Sequence, residues 1–109
     1  MRYGLKDETV AAIHAVFARF PAIEEVVLYG SRAKGAFKPG SDIDLTIREH
    51  GLSFDDLLCL ENQLDDLLLP YKFDLSLFRQ LQHAPLIEHI QRVGVSFYGK
   101  PSAVKGGIL

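Results

Sequence analysis

Three aspartates and one glycine–serine pair are the residues of this chain whose types and spacing suit catalysis. Asp42 and Asp44 stand one residue apart in Ser41-Asp42-Ile43-Asp44-Leu45. Alternate side chains of an extended segment share a face, so both carboxylates point the same way. Two carboxylates on one face repel each other unless a cation sits between them. A hard divalent ion meets that need, and magnesium typically combines one or two carboxylates with substrate phosphates. Gly30-Ser31, just upstream, offers backbone N–H groups and a hydroxyl to those phosphates. Asp74 is a third acid, set in the otherwise apolar run Phe73-Asp74-Leu75-Ser76-Leu77. A lone buried carboxylate is costly there. If its strand lies beside the one carrying Asp42 and Asp44, the three acids gather at one site for a metal-bound nucleotide.

Other phosphate-binding patterns fail on spacing. Gly35 and Gly40 are spaced as in a Walker loop, but Ser41-Asp42 follows them and the lysine is missing. A dinucleotide fingerprint needs a second glycine where Arg32 stands.

The elements that must position these residues follow from periodicity. Residues 6–20 read as a helix, with Val10, Ile13, Phe17 and Phe20 at helical spacing, Asp7 or Thr9 as cap and Pro21 as stop. Glu25 to Tyr29 is a strand too continuously apolar to face water on either side. Gly30 breaks it. Ser31 to Phe37 is a short helix whose N-terminus points at the site, and Lys38-Pro39-Gly40-Ser41 is a turn. Asp42 to Arg48 is the second strand, with Ile43, Leu45 and Ile47 on one face and Asp42, Asp44 and Thr46 on the other. Residues 53–69 form a second long helix, capped by Ser53 and closed by Pro70. Its expected buried stripe is Phe54, Leu57, Leu58, Leu64, Leu67 and Leu68, with Cys59 a buried thiol among the leucines. Lys72 to Phe78 is the third strand, Ala84 to Arg92 a last helix, and 93–98 a short edge strand. The fold class is α/β (α+β): a small mixed sheet with helices mainly on one face. Residues 1–98 form a single domain and 99–109 a loose tail.

The totals are consistent with that. A chain of 109 residues with 48% hydrophobic residues suits one modest core. Twelve basic against fourteen acidic residues give a net charge of −2, which argues against a standing nucleic-acid surface. Cys59 is the only cysteine, so no internal disulfide forms and a reducing, cytoplasmic location is expected. No signal-peptide core opens the chain, and no run approaches the roughly 20 apolar residues of a membrane span. His14, His50, His83 and His89 show no ligand-like grouping and read as surface or packing residues.

Gly30-Ser31, ten residues, then Asp42-Ile43-Asp44 resembles the signature of the polymerase beta-type nucleotidyltransferase superfamily. The fuller text, Gly-Ser-Arg-Ala-Lys-Gly followed by Ser-Asp-Ile-Asp-Leu, is similar to its minimal nucleotidyltransferases, and the resemblance spans nearly the whole chain. It implies transfer of AMP from ATP to a hydroxyl, with pyrophosphate released. Asp42, Asp44 and Asp74 would be the catalytic, metal-binding acids, holding two Mg²⁺ ions. Gly30 and Ser31 would hold the terminal phosphates, Arg32 and Lys34 would neutralise the leaving pyrophosphate, and Ser41 would either assist or cap the turn. The resemblance also implies a helical HEPN-domain partner, with this chain the antitoxin that modifies a partner tyrosine. The same residues leave two alternatives. One is a nucleotide-binding subunit that acts by complex formation alone. The other is transfer to a small molecule or RNA in a pocket supplied by a partner.

Overall fold

A computed structural model describes residues 2–99. In chain order the elements are α1 (Asp7–Phe17), β1 (Ile23–Tyr29), α2 (Gly30–Lys34), β2 (Ile43–Glu49), α3 (Phe54–Asp65), β3 (Phe73–Leu77), α4 (Ala84–Val93) and β4 (Val95–Gly99), with a short 3₁₀ turn at Phe78–Gln80. The four strands make one mixed sheet in the order β3-β2-β1-β4. β2 pairs antiparallel with β1 and parallel with β3, and β4 adds antiparallel to the outer side of β1.

Strand alternation divides the sheet into two faces. Val26, Leu28, Ile43, Leu45 and Ile47 point to one side and pack with Val10, Ile13, Phe17, Leu60 and Leu64 from α1 and α3. All five strand residues are fully buried, and burying such a side chain contributes about 1.5–3 kcal/mol. On the other face α4 covers only the β1 side, where Ile90 packs on Val27 and Tyr29. The β2–β3 half of that face carries the acids. The α/β architecture is thus as expected, with two helices on one face and one helix on part of the other.

Boundaries differ where local turns override periodicity. α1 has Lys6 at its N-cap position, so neither Asp7 nor Thr9 occupies it. It ends at Phe17 because 18–20 tighten into i→i−3 bonds, Arg19 to Val16 and Phe20 to Phe17, before Pro21. α2 stops at Lys34, since Gly35 takes a left-handed φ of 77° and closes the last turn. α3 begins as expected. The Ser53 hydroxyl accepts from Asp56 N–H and Asp56 returns the bond to Ser53 N–H, a capping box contributing about 1 kcal/mol. It ends at Asp65, five residues before Pro70, and Leu68 adopts φ 54°.

The α3 stripe also needs correction. Its buried residues are Leu60 and Leu64, flanked by the partly buried Leu57 and Leu67. That 57-60-64-67 spacing is one helical face. Phe54, Leu58 and Leu68 lie off it and are exposed. Cys59 is on the exposed side too, its Sγ accepting from Gln63 Nε2 at 3.3 Å, and is not a buried thiol. The expected tail lies, from residue 100 onward, outside the described residues.

Candidate active site

The strand register gathers the acids. Tyr29 on β1 is opposite Asp44 on β2, and Asp44 is opposite Asp74 on β3. Paired residues of neighbouring strands share a face, about 4.8 Å apart. The phenol and the two carboxylates therefore form one row across three strands. Asp42 enters from the residue before β2, one pleat away on the same face. Asp74 and Asp42 are exposed and Asp44 is half-buried, so the row opens to solvent. Behind it Ser76 Oγ donates to Thr46 Oγ1 at 2.9 Å. That bond satisfies the fully buried threonine and ties β3 to β2.

Electrostatics marks Asp44 as the focus. Burial raises its carboxyl above the ordinary value, and the charges of Asp74 and then Asp42 raise it further; His89 and Arg32 offset part of this. The Tyr29 phenol is raised likewise, first by burial and then by Asp74. A raised folded-state value means that ionising Asp44 costs the folded protein stability. The penalty is absent below the ordinary carboxylate value of 3.8 and grows as pH rises through the folded value. Asp44→Asn should therefore raise the thermal midpoint at pH 7 in metal-free buffer, with no gain at pH 3. An equal gain at both pH values would show that charge is not the cause.

A divalent cation would relieve that repulsion. Among the described residues no group of three or more His, Cys, Asp or Glu side chains is placed to hold a metal ion by itself. What the row offers is hard carboxylate oxygen on an open face. That donor set fits magnesium, which completes its shell with water and phosphate oxygens.

Gly30 joins the phosphate-binding turn to the acids. Its φ is 76°, in the left-handed region, and a Cβ there would fall on the Asp44 Oδ2 atom and 3.2 Å from Cγ. Only glycine lets the backbone lie so close to that carboxylate. Ser31 follows, half-buried at the start of α2.

The remaining predicted phosphate ligands are placed differently. Arg32 is buried, 2% exposed. Its Nε and Nη2 donate to the Ser41 carbonyl at 3.2 and 2.9 Å, Nη2 also to the Pro39 carbonyl at 3.3 Å, and Nη1 to the Tyr3 carbonyl at 2.9 Å. Its guanidinium carbon lies 5.2 Å from the Phe37 ring centroid and 4.9 Å from that of Tyr71. Arg32 therefore does not reach out to a leaving pyrophosphate. It staples the N-terminal turn and the loop 35–41 together, and so fixes the approach to Asp42. Ser41 likewise caps a turn: Lys38 N–H donates to its Oγ at 2.8 Å, and Ser41 N–H donates to the Lys38 carbonyl at 2.9 Å. Lys34 is exposed at the end of α2.

His89, which reads from sequence as a surface or packing residue, lies at the site. Gly30 N–H donates to its Nε2 at 3.3 Å, and its ring meets Tyr29 edge-on with centroids 6.2 Å apart. The signal available in sequence was its place on α4, three residues after Leu86 and next to Ile90, on the side that packs. Of the other histidines, His50 and His83 are exposed and His14 is packed. His14 lies between the rings of Phe97 and Tyr98 and hydrogen-bonds the Phe97 carbonyl at 2.6 Å.

A mixed four-stranded sheet, a Gly-Ser turn at the end of its central strand and aspartates on the next two strands define the nucleotidyl-transfer class of site. The chain belongs to the polymerase beta nucleotidyltransferase family, whose model matches residues 11–103. No curated protein matches it. Several solved structures share the fold. A toxin–antitoxin crystallised with AMP-PNP superposes with a TM-score of 0.66 at 20% identity, over 91% of this chain and 77% of that one. The MNT antitoxin bound to a tri-AMPylated HEPN toxin from Shewanella oneidensis gives 0.64 at 18% identity, over 91% and 76%. The toxin–antitoxin MntA-HepT gives 0.62 at 18% identity, over 90% and 76%.

Proposed function

We propose that this chain transfers AMP from ATP, with Mg²⁺, to a tyrosine hydroxyl of a HEPN-domain partner, and acts as the antitoxin of the pair. The observation that supports this most directly is the register of Asp44 against Asp74 beside the Gly30 turn. It brings three carboxylates to an open face next to backbone suited to phosphates. Family membership supplies the reaction class. The similar folds that carry an AMPylated HEPN toxin or AMP-PNP support the acceptor and the nucleotide.

In this reading Asp42 and Asp44 would hold a metal on the triphosphate, and Asp74 would help hold a second ion. When bound, the ions supply Lewis-acid neutralisation of the phosphates. The residues of the chain do the rest. Gly30 N–H and the Ser31 hydroxyl orient the terminal phosphates. Asp74, exposed at the edge strand, faces the incoming hydroxyl and accepts its proton. The hydroxyl oxygen bonds to the α-phosphorus, the bond to the bridging oxygen breaks, and pyrophosphate leaves. The rate gain comes mainly from positioning and fixed charge. Because the acid row lies open, a partner surface can bring the acceptor and exclude water.

The test uses ATP labelled at the α-phosphate with the cognate HEPN-domain partner that this reading requires. Label should appear on a partner tyrosine. Asp42→Asn/Asp44→Asn should lower transfer by at least about 100-fold without unfolding the protein. Mg²⁺-dependent ATP binding without label on partner, small molecule or RNA would favour a subunit that acts by binding alone. No ATP binding at all would overturn the reading.

A further inference from the structure

The amide proposed to receive a terminal phosphate is already engaged. Gly30 N–H points at His89 Nε2, 3.3 Å away. The bond is long for N–H···N pairing, and so readily exchanged. His89 comes from α4, an element to which the nucleotide-binding pattern assigns nothing. Its ring is held edge-on against Tyr29, the residue directly before Gly30 and the one paired with Asp44. Tyr29 is buried, so the imidazole rests on a fixed wall with its Nε2 aimed at the turn.

An imidazole in this place can exchange roles. With its proton on Nδ1, Nε2 accepts from Gly30, as in the present arrangement. A phosphate oxygen arriving at the same N–H would displace that lone pair. The other tautomer puts a hydrogen on Nε2, which then donates to the same oxygen. One side chain thus satisfies the amide without nucleotide and adds a donor with it. Arg32 is spent on three carbonyls and Ser41 on its own turn, so neither offers the turn a donor in this way.

We propose that His89 is a positioning residue for the terminal phosphates of the nucleotide, exchanging its bond to Gly30 N–H for a bond to phosphate oxygen. The inference rests on the nucleotidyl-transfer reading of the site. It predicts an effect graded by phosphate number. A hydrogen bond to a charged group is stronger than one between neutral groups. Loss of this one should therefore weaken ATP at least about tenfold, while AMP, which has no terminal phosphates, changes less than about twofold.

The experiment measures equilibrium binding of ATP, ADP and AMP with Mg²⁺ to the whole chain and to two variants. His89→Phe keeps a ring against Tyr29 but has no polar atom. His89→Gln keeps an acceptor and a donor. His89→Phe should lose ATP and ADP affinity with AMP spared, and His89→Gln should restore most of it, with both thermal midpoints near that of the parent. Three results would overturn the proposal: unchanged ATP affinity, tighter ATP binding, which would make His89 only a competitor for the amide, or equal loss for AMP and ATP, which would make it structural. If His89→Phe fails to fold, His89→Leu takes its place: its ATP-to-AMP affinity ratio must fall at least about tenfold below the parent's, and an unchanged ratio overturns the proposal. A parent protein that binds no nucleotide at all would instead sink the nucleotidyl-transfer reading itself.

Discussion

Replacing Arg32 with methionine should lower the thermal midpoint by about 15 °C or more, the largest stability effect expected of any single residue at this site. The guanidinium is buried and joins the carbonyls of Tyr3, Pro39 and Ser41. Removing it leaves the carbonyls of the half-buried Tyr3 and Ser41 without this donor, each worth about 1–3 kcal/mol, while exposed Pro39 can turn to water. The contacts with Phe37 and Tyr71 add about 0.5–2 kcal/mol apiece. Non-additivity reduces the sum, and a net loss of about 3–5 kcal/mol remains. In a domain of this size each kcal/mol shifts the midpoint by about 4–8 °C. Lysine does not rescue it. A lysine has one ammonium and no planar fork, so it cannot reach three carbonyls on two segments. Arg32→Lys should therefore melt nearer to Arg32→Met than to the parent. It should also lose transfer activity at temperatures where it is still folded, because the loop that leads into Asp42 slackens. Thermal melts of the three proteins check this. A drop of less than about 3 °C in both variants would mean that the carbonyl network is dispensable.

This arginine also shows where sequence reading stops. The spacing of Gly30, Ser31, Asp42 and Asp44 is local, and the period-2 pattern of 42–48 puts both acids on one face without reference to the rest of the chain. Asp74 stands out by its cost in an apolar strand and joins the other acids if its strand lies beside β2, a condition that the register of Asp44 against Asp74 meets, the pairing being parallel. Those are arguments about the neighbourhood of each residue. Arg32 sits among glycine, serine and lysine, where a cation reads as a phosphate ligand. Its burial is decided by Tyr3, Phe37 and Tyr71, which lie far apart in sequence and meet only in the fold. His89 is hidden for the same reason: its partner Gly30 is 59 residues away. The α3 stripe failed differently. A leucine-rich helix offers several overlapping faces, and which one is buried depends on where the sheet lies. Leu60 won that competition and Phe54 and Leu58 lost it. Helix ends were misplaced where i→i−3 turns, which carry no sequence signal of their own, finish α1 and α3.

Gly30→Ala should reduce transfer by about 100-fold or more, and the matched change Gly35→Ala should leave it within about threefold of the parent. Both glycines have nearly the same positive φ, 76° and 77°, so both substitutions carry the same strain, about 1–2 kcal/mol. Their surroundings differ. A Cβ at Gly35 meets nothing within 4 Å, whereas at Gly30 it lands on the Asp44 carboxylate. Strain alone is common to the two variants, so thermal melts should show both destabilised, Gly30→Ala somewhat more. Only Gly30→Ala forces Asp44 to rotate out of the acid row. That displaces a proposed metal ligand from the phosphates it must face, and misplacement by about 1 Å can cost 100-fold in rate. The assay is labelled-AMP transfer to the partner below the melting range of both variants. Equal activity in the two would mean that the close approach of Gly30 to Asp44 does not matter for catalysis. Strong loss in both would mean that the turn's stiffness, and not the space above Gly30, is what the reaction requires. Loss confined to Gly30→Ala would tie the phosphate-binding turn to the metal-binding acid through a single missing side chain.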